Sequence, residues 1–174
     1  SVDLFKASLD SPEADVFIRH YRSGYLSGKY KDHNLVPSSV DDTWTLVLGL
    51  GKRSADERSY RFEDRLRSVF AIAGRYFRRR GVREMTICDL AHLNVEPERL
   101  GQLISEGVLL GCYRFDQYKS SPGYTDLDVI RVQTNDAALV KKGLLIGEHI
   151  ARGTCRARDV INTPSSDMRP KDFV

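Results

Sequence analysis

At 174 residues and 19.7 kDa the chain has the length of one domain, or one domain with an appendage, on the usual scale of roughly 100–200 residues per domain. That excludes most large multidomain enzymes. Its 41% apolar and 29% charged residues are those of an ordinary globular protein, which at this size buries about 70% of its unfolded surface. No stretch approaches the ~18 uninterrupted apolar residues of a membrane span, and Ser1-Val2-Asp3-Leu4-Phe5-Lys6 lacks the basic-then-apolar pattern of a signal peptide. A cytoplasmic protein with no membrane partner is the expectation. Because the first residue is Ser and not Met, the chain reads as processed or as a piece of something longer. Net charge is only +3, yet Lys52–Arg83 holds eleven basic and four acidic residues, a local +7 that leaves −4 for the rest.

Residues 1–43 carry the weakest pattern: a short strand at Asp15–Tyr21, then a Gly/Ser/Tyr/Lys/Asp-rich loop through Val40 that contains Pro37. Trp44-Thr45-Leu46-Val47-Leu48-Gly49-Leu50, an almost uncharged run of β-formers stopped by Gly51-Lys52, predicts a buried central strand. A helix follows Ser54, whose hydroxyl is placed to cap it, with Asp56 and Glu57 where the helix dipole favours acids. Phe62, Leu66, Val69, Phe70, Ala73, Tyr76 and Phe77 recur at steps of three and four and make its apolar stripe. Arg78-Arg79-Arg80-Gly81 closes it with cations and a left-handed terminator. Glu84–Leu90 reads as a second strand with Met85, Ile87, Cys88 and Leu90 inward. Pro97 and Glu98 open a helix with Leu100, Leu103, Ile104, Val108 and Leu110. A Ser-Ser-Pro-Gly loop at 120–123 precedes a third strand, Leu127–Val132. A long helix then runs from Ala137 through Leu139, Leu144, Ile146, Ile150, Ala157 and Ile161 to Asn162-Thr163-Pro164. Strands alternating with helices predict an α/β fold with a parallel or mixed sheet.

The residues that might carry chemistry give weak signals. Cys88, Cys112 and Cys155 form no CxxC pair and read as buried thiols. His20, His33, His92 and His149 show no spacing that places two imidazoles on one metal. Gly49-Leu50-Gly51-Lys52-Arg53-Ser54 sits where a phosphate loop would sit, but lacks the spelling of a P-loop or a dinucleotide fingerprint; a tight strand-to-helix turn explains its glycines equally. Arg75, Arg78, Arg79, Arg80 and Arg83 can neutralise nucleic-acid phosphates, or simply form a solvated helix end. No nucleophile elbow, HExxH motif or acid pair beside a histidine is present, so the chain itself does not read as an enzyme.

Two stretches are more specific. Glu106-Gly107-Val108-Leu109-Leu110-Gly111-Cys112-Tyr113-Arg114-Phe115-Asp116-Gln117-Tyr118-Lys119-Ser120 and Ala157-Arg158-Asp159-Val160-Ile161-Asn162-Thr163-Pro164-Ser165-Ser166-Asp167-Met168-Arg169-Pro170 closely resemble segments of the leucine aminopeptidase family of di-metal exopeptidases. There a G-x-Y-x-F-D-x-Y-K motif precedes a long helix whose A-R-D-x-x-N-T-P sequence leads into the catalytic domain. Val47-Leu48-Gly49-Leu50-Gly51-Lys52 also resembles the family's strand ending in G-L-G-K. From the residues alone, Tyr113, Phe115 and Tyr118 are spaced so that at least two rings can enter the core, and Arg158-Asp159 before Asn162-Thr163-Pro164 reads as a polar helix end.

The resemblance implies a macro-domain-like α/β fold, a mixed or parallel sheet with helices on both faces, in residues 1–150. Residues 151–174 would be a linker helix and turn leading to a catalytic domain absent from this chain. It further implies that Gly49, Gly51, Lys52, Gly111, Tyr113, Phe115, Asp116, Tyr118, Lys119, Arg158, Asp159, Asn162, Thr163 and Pro164 are structural motif residues. The family's metal-binding Lys, Asp and Glu residues, and its N-T-D-[AG]-E-G-R-type motif, have no counterpart here, since Asn162-Thr163 is followed by Pro164. The expectation is therefore a noncatalytic amino-terminal domain without cofactor of its own. The intact protein would be a hexamer that removes amino-terminal residues from peptides with two zinc, manganese or magnesium ions, this domain helping assembly and access to the active site. Alternatives are a nucleic-acid-binding module, with DNA as partner, and, by analogy of fold alone, an ADP-ribose or nucleotide binder at Gly49–Lys52.

Overall fold

Proline at the first helical position loses no hydrogen bond, and the helix that begins at Pro97 is the one on which its neighbours are arranged. The computed structural model describes residues 12–38, 42–54, 56–88, 90–121 and 126–168. Its elements run α1 (Pro12–Arg22), β1 (His33–Pro37), β2 (Trp44–Leu48), α2 (Ser59–Arg79), β3 (Glu84–Ile87), a 3-10 turn (Ala91–Leu93), α3 (Pro97–Cys112), β4 (Val129–Val132) and α4 (Ala137–Asn162). This is a mixed α/β fold with both kinds of strand pairing. β1 and β2 pair antiparallel, His33 opposite Leu48 and Pro37 opposite Trp44. β3 and β4 pair parallel, Glu84 opposite Val129 and Ile87 opposite Val132.

The glycines of the three long helices set how those helices pack. A Cβ on Gly143 would run into the Glu98 carbonyl, and one on Gly147 into that of Gln102; one on Gly101 would strike Val140. On the other side, Gly107 and Gly111 lie against the backbone of Arg67 and Ala71, and Gly74 against Val108. Residue numbers rise together across both seams, so α2, α3 and α4 run parallel with α3 between the other two. Leu103, Ile104 and Val108 of α3 are completely buried, each worth about 1.5–3 kcal/mol of transfer free energy. They join Phe62, Leu66 and Phe70 of α2, Met85 of β3 and Leu93 in one core. A second, smaller cluster of Phe17, Leu26 and Val36 ties α1 to the β1–β2 hairpin.

Charged groups line the same seams. The carboxylate of Glu106, buried on α3, accepts from Arg67 and from Gln102, both at 2.6 Å. Arg99 donates through two nitrogens to Glu63, at 3.0 and 2.6 Å, and Lys142 reaches Glu98 at 2.7 Å. A carboxylate this deep is tolerated because its lone pairs are occupied by a cation and an amide.

Several sequence expectations are corrected. Asp15–Tyr21 is helical, not extended: Phe17 and Ile18 are buried together, and Arg19, His20 and Arg22 fall in the last turn, where the dipole favours cations. The stretch read as a loop through Val40 contains β1, whose Pro37 is accepted at a strand end; residues 39–41 lie outside the described residues. β2 is no buried central strand. Among the described residues it pairs with β1 alone, and Trp44 is 59% exposed. α2 starts at Ser59, with Arg58 at the cap position and no side-chain cap, so Ser54 does not cap it. β3 ends at Ile87, and Cys88 is exposed rather than inward; Cys112 and Cys155 are half-buried. β4 begins at Val129, not Leu127. The Ser-Ser-Pro-Gly loop falls partly outside the described residues. On α4 the buried face is Val140, Gly143, Gly147 and Ala151, whereas Leu139, Ile150 and Ile161, taken from the sequence as the apolar pattern, face out. Small residues, not large ones, mark the seam because the backbones touch there.

This packing predicts opposite effects of one substitution at two helix positions. Gly143→Ala should destabilise the fold by about 1–3 kcal/mol through overpacking, despite better helix propensity. At Gly153 a Cβ would meet nothing within 4 Å, so Gly153→Ala should stabilise by about 0.5–1 kcal/mol. Urea denaturation followed by circular dichroism reads both, and equal effects would contradict the α3–α4 seam.

Candidate functional site

The α3–α4 seam carries two distant stretches of sequence to the same place. α3 ends at Cys112, and the chain leaves through Tyr113 in extended conformation. The Tyr113 hydroxyl donates to Asp159 Oδ1 at 2.9 Å and accepts from Asn162 Nδ2 at 3.1 Å; the Arg158 guanidinium lies 5.3 Å over its ring. Asp159 is also the terminator of α4: its carbonyl accepts from the Thr163 N–H at 2.9 Å and the Thr163 hydroxyl at 2.7 Å. Pro164 stops the helix beyond that cap, and a turn follows in which the Asp167 N–H reaches the Pro164 carbonyl at 2.9 Å. The Tyr118 hydroxyl then donates to Asp167 Oδ2 at 2.6 Å. Two hydroxyls thus stitch residues 113–118 to residues 159–167.

The loop between the two tyrosines is held by its own charges. Asp116 takes Arg114 Nε at 2.6 Å and Lys119 Nζ at 3.0 Å, and the rings of Phe115 and Tyr118 meet at 5.7 Å with a 59° tilt. Desolvation pushes the Asp116 carboxyl up, but hydrogen bonds from Lys119 and Arg114 outweigh it and hold it below the usual carboxylate value. The Tyr118 phenol is raised, first by its hydrogen bond to Asp167 and then by desolvation. The Tyr113 phenol is raised as well, chiefly by burial. The rings of Tyr113 and Phe115 are half-buried and that of Tyr118 is exposed, so polar partners rather than the core hold this motif. Gly111 is needed one turn earlier, where a Cβ would strike Ala71.

In the Gly49–Lys52 loop both glycine amides are already bonded. The Gly49 N–H donates to the Asp32 carbonyl at 2.8 Å, and the N–H of Gly51, at φ +72°, donates to Gly28 at 2.9 Å. Its carbonyls are spoken for too: Arg65 Nη1 reaches Leu50 O at 3.0 Å and Lys52 O at 2.9 Å, while Nη2 pairs with Glu57. The open hollow beside it, about 380 Å³, is lined by both signs of charge, Lys52, Arg58 and Arg61 with Asp56 and Glu57.

The arginines at the end of α2 divide. Arg78 is turned inward, its side chain 11% exposed, and donates to the Cys112 carbonyl at the end of α3. Arg80 stacks on Tyr76 at 3.6 Å, and Arg83 lies 3.7 Å from Asp128. Arg75 and Arg79 are exposed. Sequence reading singled out neither Arg78 as the cap of a different helix nor Asp167 as a partner of Tyr118, because nothing local signals a contact 34 or 49 residues away. Burial raises the thiols of Cys112 and Cys155. Among the described residues no three His, Cys, Asp or Glu side chains converge as a metal site requires, and no helix is long and apolar enough to cross a membrane.

A family model described as the cytosol aminopeptidase family, N-terminal domain, matches residues 6–122. The chain is 33% identical over 170 residues to the probable cytosol aminopeptidase of Roseiflexus castenholzii, covering 94% of this chain and 33% of that protein. It is 33% identical over 150 residues to the probable cytosol aminopeptidase of Mycobacterium leprae, covering 84% of this chain and 27% of that one. The chain therefore spans between a quarter and a third of these relatives' length. Among solved structures, the bottromycin maturation enzyme BotP in complex with Mn shares the fold, with a TM-score of 0.66 and 24% identity over 88% of this chain and 30% of that one.

The Tyr118–Asp167 stitch gives a titration to check. A phenol whose folded value is raised stabilises the stitch below the ordinary phenol value near 10, and that contribution is lost as pH rises through the folded value. Absorbance at 295 nm should show at least one tyrosine titrating late, and Asp167→Asn should bring it back toward the ordinary range. Identical titration curves would contradict the contact.

Proposed function

Because the chain belongs to the cytosol aminopeptidase family, as its N-terminal domain, we propose that it is a noncatalytic companion module that helps assemble the intact enzyme and shape access to its active site. The observation that carries this reading is where the polar atoms of the two motifs go. Tyr113, Asp159, Asn162 and Thr163 are spent on one another, as are Tyr118 with Asp167 and Asp116 with its two cations. Groups consumed in this way fix the end of α4 relative to α3; they are not poised to activate water or hold an ion.

In this reading residues 1–150 form the module and residues 151–174 the link to a catalytic portion. That portion holds two divalent ions, zinc, manganese or magnesium, which would supply an activated water for peptide hydrolysis. The parent protein is a cytoplasmic hexamer that removes amino-terminal residues from peptides. This chain contributes the rigid exit of the link: Tyr113 receives the end of α4, and Thr163 and Pro164 close it.

Hydrolysis of leucine-p-nitroanilide with added manganese is the direct test. The 174-residue chain should show none, whereas a polypeptide that continues into the catalytic portion should turn the substrate over and run as a hexamer. Turnover by the 174-residue chain would place the reactive groups within it and overturn the reading.

A further inference from the structure

We draw no further inference here: the strongest candidate, the uncharged edge of β2 (Trp44–Leu48) turned away from β1, which pairs with no other strand among the described residues, carries nothing because no observation in the structure shows what covers it.

Discussion

Backbone contact along α3 is the constraint from which the rest of this molecule follows. Six glycines, Gly74, Gly101, Gly107, Gly111, Gly143 and Gly147, sit where any side chain would meet a neighbouring helix at close range. Each costs about 1 kcal/mol of helix propensity relative to alanine. That expense is recovered only if the helices approach closely enough for dispersion and the burial of Leu103, Ile104 and Val108 to exceed it. Close approach also leaves little freedom of register: moving α4 by one residue along α3 would replace Gly143 by Lys142 or Leu144 against the Glu98 carbonyl.

Fixed register is what makes the polar junction possible. Tyr113 lies just beyond the end of α3 and Asp159 near the end of α4, and they meet because the two helices run parallel from the matched contacts at Glu98–Gly143 and Gln102–Gly147. Ion pairs along the flanks, Glu63 with Arg99 and Glu98 with Lys142, add modestly on the exposed side. Glu106 differs, being buried and satisfied by two partners, and serves as a further register mark between α2 and α3.

Much of the fold was legible where large apolar residues recur at helical spacing. Phe62, Leu66, Phe70, Leu100, Leu103, Ile104 and Val108 were read as core and lie in it. The reading failed where small residues did the packing. On α4 the bulky Leu139, Ile150 and Ile161 face out and the contact is made by Gly143 and Gly147, whose role no periodicity of bulk can reveal. Short N-terminal elements were missed for a different reason. Phe17 and Ile18 sit in a helix of eleven residues, too short for its pattern to stand out from a strand, and β1 ends in a proline that mimics a loop. At the candidate site the motif residues were found through resemblance, but their pairing was not. A hydroxyl and a carboxylate 46 residues apart become neighbours only after the helices are laid side by side.

Three parallel helices also place three like-oriented dipoles next to one another, an arrangement that is laterally repulsive, with partial negative charge of roughly half an electron at each carboxyl end. The arginine run follows the end of α2, and its Arg78 crosses to the last carbonyl of α3. Arg78 therefore has an internal client: it is a counterion of the helix layer. That one guanidinium is committed to keeping two neighbouring helix ends together, while Arg75 and Arg79 of the same stretch stay exposed.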